Sequence, residues 1–391
     1  MIFDKEAIRQ KLKESIKKYK SAKKILLIPP DATRSHSGGG LITSLYYEMF
    51  CEMGIHADIL PALGSHAPMT RQEQIDFYGD IPEERFLTHR WRDGVISLGE
   101  IPASFVQEVS EELMDKPIAV QVSEYLLQYD QIISIGQVVP HEVAGMANYT
   151  KNIVVGCGGS DFINASHMIG AFYGIERVLG KVDTPVRHLF DYAEEHYLKC
   201  LPITYVLTVV DGADIVGLFV GRERDIFEEA AALSQKRNII YLDKPLESCV
   251  VHLDEKEFHS TWLGNKAIYR TRMAIADGGH LIVVAPGVRM FGEDSENDRL
   301  IRKFGYVGRQ NVLQLSNTES ELQNNLAVAA HLIHGSTDGR FKVTYAAPLL
   351  GKKAVESVGY NYIDIDKVME LDEYSGFHIH NPALGLWQVG K

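Results

Sequence analysis

Short apolar runs alternate along the first half of the chain with segments of helical periodicity. The pattern predicts strands at residues 23–30, 55–63 and 130–140, a strand or turn at 151–159, and a hairpin formed by 204–212 and 214–221. Helices are predicted between them, at residues 40–53, 101–112 and 222–235. Strands that are apolar along their whole length are typical of sheets covered on both faces, so this half is predicted to be α/β with a mainly parallel sheet.

The second half repeats this pattern. Strands are predicted at 238–245, 280–287 and 340–348, and helices at 265–277, 294–304 and 319–334. A polar stretch after Lys244-Pro245 predicts two α/β domains with mainly parallel sheets, residues 1–245 and 246–391, and an active-site cleft between them. The tail, residues 372–391, is rich in glycine, histidine and aromatic residues, and we expect it to fold back onto the N-terminal domain.

Composition narrows the class of protein. The 391 residues carry a formal net charge of −12, which argues against nucleic acid or an anionic membrane as the main partner. Residues 1–24 form a lysine-rich amphipathic pattern without the apolar core of a signal peptide, and no apolar run is long enough to span a membrane. The four cysteines contain no CxxC pair. We therefore expect a cytoplasmic protein with reduced thiols.

Candidate chemistry follows the first two predicted strands, because ligands of open α/β sheets bind beyond the carboxyl ends of strands. Asp31 and Arg34 lie in the loop after the first strand and could bind a sugar hydroxyl and a carboxylate or phosphate. A helix cap with a solvated arginine is the alternative. His66 follows the second strand and is either a general base or a packing histidine, with Thr70 capping the next helix.

The third strand leads into a glycine-rich stretch that holds three chemically active side chains. Lys151 lies ten residues and His167 twenty-six residues after His141. Two histidines and a lysine can supply a base, a metal ligand and an amine nucleophile, although each alone is more often structural. In the second half, Trp262 and Lys266 lie at the start of a predicted helix, where an ammonium group favours an anion and a solvated helix face is the alternative.

Together these segments resemble the lactate racemase family. Its Asp-x-Thr-Arg motif is matched by residues 31–34, its Gly-x-His motif by residues 64–66, and its Pro-His…Gly…Lys…His block by Pro140, His141, Gly145, Lys151 and His167. The match is close over residues 23–167 and general elsewhere. Ala67 departs from the pattern, because an arginine or similar residue often follows the Gly-x-His motif.

The resemblance implies a nickel-dependent isomerase, a 2-hydroxyacid racemase or epimerase. In the family, hydride moves reversibly from the substrate Cα to a nickel-pincer nucleotide (pyridinium-3,5-bisthiocarboxylic acid mononucleotide) tethered to a lysine, and two histidines act as acid and base. Carried over to this chain, the implied roles are acid/base for His66 and His141, cofactor binding for Lys151, Asp31 and Thr33, nickel ligation for His167, and substrate binding for Arg34, Lys266 and Trp262. Enzymes of cofactor synthesis are then expected partners.

Two departures from lactate-acting members concern the substrate. Leu263 stands where those members have a glutamine, and residues 144–150 replace a small-residue run. We expect a substrate larger than lactate, such as a sugar acid, with His89, Arg90, Asn148 and Tyr149 as candidate polar partners. Two alternatives stay open: a non-catalytic sugar-acid binding protein, and a nicotinamide-dependent 2-hydroxyacid dehydrogenase, for which the GxGxxG fingerprint is missing.

Overall fold

A computed structural model describes residues 2–390. Contacts between Cα atoms group the chain into two compact units: residues up to Ile169 together with Val178–Arg237, and Gly170–Arg177 together with the residues from Asn238 onward. The segment Gly170–Arg177 thus leaves the first unit to join the second. The predicted domain boundary at residue 245 stays a prediction, because compactness does not test which part folds alone.

The first unit is built on a five-stranded sheet, two strand pairs and helices. Its strands are β1 (Lys24–Ile28), β2 (His56–Ile59), β3 (Val95–Ile101), β4 (Ile118–Ser123), β5 (Gln131–Gln137), β6 (Pro140–His141), β7 (Gly145–Met146), β8 (Ile203–Asp211) and β9 (Asp214–Gly221). Its helices are α1 (Lys5–Ile16), α2 (Gly39–Glu52), α3 (Arg71–Tyr78), α4 (Ala103–Val109), α5 (Thr150–Val154), α6 (Ser160–Tyr173), α7 (Ile175–Val178), α8 (Pro185–Ala193) and α9 (Arg224–Asn238), of which α6 and α7 run into the segment that joins the second unit.

The strand order of the main sheet is β2-β1-β5-β8-β9, and all neighbours are parallel except the β8–β9 hairpin. The first strand of the sheet along the chain is β1. Strand β2 pairs with one side of β1, and β5 later pairs with the other side. The strand order therefore reverses between β1 and β5. Loops that leave the carboxyl ends of these two strands diverge and open a crevice, which is where ligands bind in open α/β sheets.

The second unit has its own parallel sheet in the order β14-β13-β12-β11-β15, and a separate parallel pair, β10 with β16. Its strands are β10 (Ile239–Leu242), β11 (Leu246–His252), β12 (Ile275–Val284), β13 (Lys342–Ala346), β14 (Asn361–Tyr362), β15 (Phe377–Ile379) and β16 (Leu386–Val389). Its helices are α10 (Thr261–Gly264), α11 (Lys266–Tyr269), α12 (Ser295–Phe304), α13 (Arg309–Thr318), α14 (Ser320–Gln323), α15 (Leu326–Gly335) and α16 (Lys352–Ser357).

The predicted fold class is confirmed, and several predicted elements are corrected. Residues 151–159 form helix α5 and a glycine-containing turn rather than a strand, because Gly158 packs so closely on α5 that a Cβ there would lie 1.8 Å from the Val154 carbonyl oxygen. The predicted helix at 265–277 ends at Tyr269, and β12 begins at Ile275. Strand β11 was not predicted, since Glu247 and Ser248 interrupt its apolar pattern.

The strands of the tail, residues 372–391, pair with strands of the second unit. Its strands β15 and β16 lie beside β11 and β10, both of which belong to that unit. All four cysteines are free thiols. Among residues 2–390, no helix is both long enough and apolar enough to cross a bilayer.

Candidate active site

Asp31 begins the loop after β1, at the crevice where the strand order reverses. It caps a short 3₁₀ helix, Ala32–Ser37, and its Oδ1 accepts hydrogen bonds from the Thr33 amide at 3.0 Å and the Thr33 hydroxyl at 2.5 Å. Both bonds are made by Oδ1, so the second carboxylate oxygen, Oδ2, can bind another group. The carboxylate is therefore fixed in orientation by its neighbours before it meets any other group.

The second oxygen of Asp31 holds His66. Asp31 Oδ2 lies 2.6 Å from His66 Nδ1, and the turn that carries His66 is held by a bond from the Gly64 amide to the Gly156 carbonyl at 2.8 Å. Because a carboxylate only accepts, Nδ1 carries a proton and Nε2 offers a lone pair. With 43% of its side chain exposed, His66 presents Nε2 as a general base oriented by a carboxylate.

Asp31 is ionised at this site. Burial by itself would raise its pKa, but the hydrogen bond and charge of His66, the Thr33 hydroxyl and the charge of Arg34 together lower the pKa to about 2. The negative charge is thus available to stabilise an imidazolium when His66 takes a proton.

His141 is held as the opposite tautomer, with its proton on Nε2 and not on Nδ1. It is buried at the end of the short β6–β7 hairpin, where its Nδ1 accepts hydrogen bonds from the amides of Val143 at 3.1 Å and Ala144 at 3.3 Å. The proton of the neutral ring therefore sits on Nε2. Burial lowers the pKa of His141 well below its ordinary value, Glu142 opposes this shift, and the charge of Lys151 adds to it.

Lys151 lies in helix α5 as a half-buried amine. Burial, followed by the charge of Arg34, lowers its pKa to about 8. A measurable fraction of the amine is therefore unprotonated near neutral pH, which is the form that attacks a carbonyl carbon. The sequence-based reading of Lys151 as a nucleophile fits this environment.

The backbone just before Lys151 is strained. Asn148 and Tyr149 have φ angles of 68° and 60°, a region that non-glycine residues rarely occupy. The buried Arg187 holds this turn by donating to the carbonyl oxygens of Met146 at 2.6 Å and Asn148 at 3.4 Å. Arg187 was not found from the sequence, because nothing in its local pattern separates it from a surface arginine.

His167 presents a free ring nitrogen. Its Nδ1 donates to the Ile163 carbonyl oxygen, one helical turn earlier in α6, at 2.6 Å, which leaves a lone pair on Nε2. Burial lowers the pKa of His167, so the ring is neutral near pH 7, although the bond to Ile163 opposes the shift. A ring whose other N–H binds a backbone carbonyl is the arrangement of metal-ligating histidines.

The donor set fits a metal that arrives with its own ligands. Within residues 2–390, no group of three or more His, Cys, Asp or Glu side chains is placed to hold an ion. His167 Nε2 could supply one ligand to a metal ion whose other ligands come with it. The charge of Lys151 acts on His167, so the two side chains lie within electrostatic range.

Arg34 is available for an anion. In the part of the chain that the structure describes, no carboxylate forms an ion pair with its guanidinium, and its charge acts on Asp31, His141 and Lys151. An arginine at a crevice without a protein partner is suited to bind a substrate carboxylate.

The remaining predicted substrate residues lie in the second unit. Lys266 is buried, with its ammonium 5.7 Å from the centre of the Phe258 ring, and the Trp262 ring stacks on His331 at 4.5 Å. Their contribution to substrate binding stays a prediction. Arg272, a few residues further along the chain, is buried and bonded to Glu176 Oε1 at 2.6 Å.

All four suggested polar partners of a larger substrate have structural contacts. Asn148 Oδ1 accepts a hydrogen bond from the Tyr149 amide at 2.7 Å. His89 is buried and donates to the Gly158 carbonyl at 3.0 Å. Arg90 lies 3.6 Å from both Asp93 and Glu124 at the surface. Tyr149 donates to the Arg222 carbonyl at 2.6 Å.

The chain can now be compared with known proteins. Residues 4–176, which contain every motif described for the first unit, match the family model of the lactate racemase N-terminal domain. This segment is similar to the N-terminal domain of lactate racemases. The resemblance that the motifs suggested is thereby confirmed for this part of the chain.

Solved structures extend the lactate racemase-like fold over the whole chain. A crystal structure of a Thermotoga maritima protein is 24% identical and covers 99% of both chains, with a TM-score of 0.89. The lactate racemase apoprotein of Thermoanaerobacterium thermosaccharolyticum is 15% identical and covers 99% of this chain and 93% of its own, with a TM-score of 0.75. These similarities show a shared fold. No curated protein sequence matches the chain significantly.

The depressed pKa of Asp31 predicts a pH-dependent loss of stability in Asp31→Asn. A carboxylate whose pKa falls from 3.8 to about 2 on folding stabilises the fold above pH 4, and this contribution disappears as the pH falls toward 2. We expect Asp31→Asn to lower the free energy of unfolding at pH 7 by roughly 2 kcal/mol. Denaturant titrations at pH 7, 4 and 2.5 measure the difference, with the exposed Asp115→Asn as control. An equal loss at all three pH values would contradict the assignment.

Gly136 in β5 is expected to be essential for the turn before Lys151. A Cβ at this position would lie 1.7 Å from Asn148 Nδ2, so Gly136→Ala must displace the Asn148 side chain, whose Oδ1 accepts a hydrogen bond from the Tyr149 amide in the strained turn. We expect a loss of about 1–3 kcal/mol in the free energy of unfolding, measured by denaturant titration. The double variant Gly136→Ala with Asn148→Gly removes the clash and should recover most of the loss. If it does not, the contact is not the cause.

Proposed function

We propose that the protein is an isomerase that inverts C2 of a 2-hydroxy acid. The observation that carries this proposal is the pair of histidines at one crevice with opposite proton states: His66 presents a lone pair at Nε2, and His141 presents a proton at Nε2. The lactate racemase N-terminal domain supports the same reaction class. Inversion at a carbon that bears a hydroxyl group needs one group to accept the hydroxyl proton and another to act on the opposite side.

The substrate explains why an auxiliary group is needed. The hydrogen on C2 lies next to an ionised carboxylate, so removing it as a proton would place a second negative charge beside the first. A nickel-pincer nucleotide, when bound, would accept this hydrogen as a hydride and return it to either face. The chain's own residues then have to bind the carboxylate, move the hydroxyl proton and exclude water.

His66 is proposed to take the hydroxyl proton. Its Nε2 lone pair accepts the proton, and the ionised Asp31 stabilises the resulting imidazolium through the 2.6 Å contact at Nδ1. The 2-keto acid that forms is planar at C2. The proton held at His66 Nε2 can return to the same oxygen when hydride is delivered to that face.

His141 is proposed to serve the other configuration. As a neutral ring it donates its Nε2 proton in a hydrogen bond to the substrate oxygen. To act as a base it must shift its proton to Nδ1, and Glu142 Oε2, 3.9 Å from Nδ1, is the group that would stabilise that proton. The two histidines therefore act on the same oxygen from different starting states.

The proposed cofactor and metal contacts use the remaining residues. Lys151 would carry the cofactor through its partly unprotonated amine, and His167 would complete the nickel coordination through Nε2. Imidazole together with sulfur ligands suits Ni(II). Thr33 is exposed beside Asp31 and stays a proposed cofactor contact.

The substrate is proposed to be larger than lactate, such as an aldonate epimerised at C2. Arg34 would bind its carboxylate, with Lys266 as a second cation and Trp262 against the rest of the molecule. Leu263, where lactate-acting members have a glutamine, supports a pocket of different polarity.

Cofactor-loaded protein tests the proposal directly. Protein co-expressed with the cofactor-synthesis enzymes should hold about one nickel per chain and absorb visible light, and it should epimerise a member of a panel of C2-epimeric hydroxy and sugar acids. Lys151→Ala should lose the cofactor mass, while Lys151→Arg controls for the positive charge. Nickel-loaded protein that is inactive on the whole panel would contradict the substrate class. Metal-free, colourless protein that epimerises would contradict the cofactor.

Substituting His66 and substituting His141 should each block racemisation, but should spare opposite halves of the reaction. His66→Gln and His141→Gln should each lower racemisation by at least about a hundredfold, since a positioned base contributes about 10²–10⁴-fold. In a single turnover, each variant should still form 2-keto acid from one configuration of the substrate, and the two variants should prefer opposite configurations. Chiral chromatography of the products measures this. Normal racemisation in either variant would refute the two-histidine assignment.

A further inference from the structure

The second unit repeats the topological feature that creates the first crevice. From β11 the chain adds β12, β13 and β14 on one side and then returns to place β15 on the other side of β11. The strand order thus reverses between β11 and β15. The carboxyl ends of these strands are therefore where this sheet would bind a ligand.

Three histidines lie at this point. His252 is the last residue of β11, His378 lies in β15, and His380 follows the end of β15. Val250 is paired with His378 and Val251 with Ile379, so His252 and His380 are the next neighbours in register. Side chains two apart in a strand point to the same face. All three imidazoles therefore share one face of the sheet edge.

The rings surround a common centre. Their centroids are 5.3, 5.0 and 6.3 Å apart, and their planes are inclined to one another by only 16° to 29°. A circle through the three centroids has a radius of about 3.3 Å, and an imidazole bound through nitrogen at about 2.1 Å has its centroid roughly 3.2 Å from a metal ion. The spacing matches three imidazoles around one ion.

The hydrogen bonds orient the donors. His378 Nε2 donates to the Tyr374 carbonyl oxygen at 2.7 Å, which leaves a lone pair on Nδ1. His252 Nε2 lies 3.0 Å from that Nδ1.

We propose that His252, His378 and His380 bind a divalent transition-metal ion of borderline softness, such as Zn²⁺ or Ni²⁺. Without the ion, the donors of residues 2–390 do not converge on a point here, because the Nε2 proton of His252 bridges to His378. For His252 to bind the ion through Nε2 as a neutral ring, its proton moves from Nε2 to Nδ1, and the exposed His380 ring turns so that a nitrogen faces the centre. Neutral imidazoles suit this class of ion.

The proposed metal site shares no residue with the site that the proposed function uses. His252, His378 and His380 belong to the second unit, whereas His66, His141, Lys151 and His167 belong to the first. The proposal therefore does not depend on racemase activity and can be tested on protein made without the cofactor.

Metal titration of the full-length chain tests the site. Metal-free protein carrying His167→Ala, which removes the first unit's proposed ligand, is titrated calorimetrically with Zn²⁺ and with Ni²⁺. We expect one ion per chain. His252→Gln, His378→Gln and His380→Gln should each weaken Kd by at least about tenfold. His188→Gln, an exposed histidine of the first unit, is the matched control and should leave Kd unchanged.

Two further measurements make the result decisive. Co²⁺ bound by the three imidazoles should give visible absorption that is lost in His380→Gln, whose exposed side chain can change without unfolding the chain. Unaltered melting temperatures of the metal-free variants check folding. Binding that is insensitive to all three substitutions, or no binding below about 1 mM metal, overturns the proposal. So does loss of binding in the His252 and His378 variants alone, because the site would then not use three imidazoles.

Discussion

The reversal of strand order is the constraint on which this structure depends. In a parallel sheet whose strands are added first on one side and then on the other, the loops after two adjacent strands turn in opposite directions. They leave a crevice between them at the carboxyl edge of the sheet. In the first unit those loops carry Asp31 and His141, and the loop after β2 adds His66. The chemistry is thus assembled by topology, since these residues are far apart along the chain.

Within that crevice, proton positions are set by groups that take no part in a reaction. Asp31 fixes the proton of His66, two backbone amides fix that of His141, and a backbone carbonyl fixes that of His167. Three identical side chains therefore reach the same region with different free atoms. Orientation by neighbours decides whether a histidine is a base, a donor or a ligand.

The sequence predicted the α/β class, the β8–β9 hairpin and the residues after β1, because apolar runs and turn residues are local signals. It missed β11, whose pairing with a strand on each side overrides its polar residues, and it predicted a strand or turn where α5 forms. The Asp31–His66 bond could have been inferred, since both residues follow neighbouring strands. The amides that hold His141 and the carbonyls that hold Arg187 could not, because backbone groups leave no trace in residue identity.

The path of the chain has a consequence for how the protein must be made. Glu176, which bonds to the buried Arg272, belongs to the short segment Gly170–Arg177, and this segment is synthesised before the last two strands of the first unit's main sheet, β8 and β9. A ribosome therefore delivers one piece of the second unit some sixty residues ahead of the rest. A gene fragment that starts at Asn238 would leave Arg272 without this partner. The second unit is therefore assembled from two separate stretches of the chain.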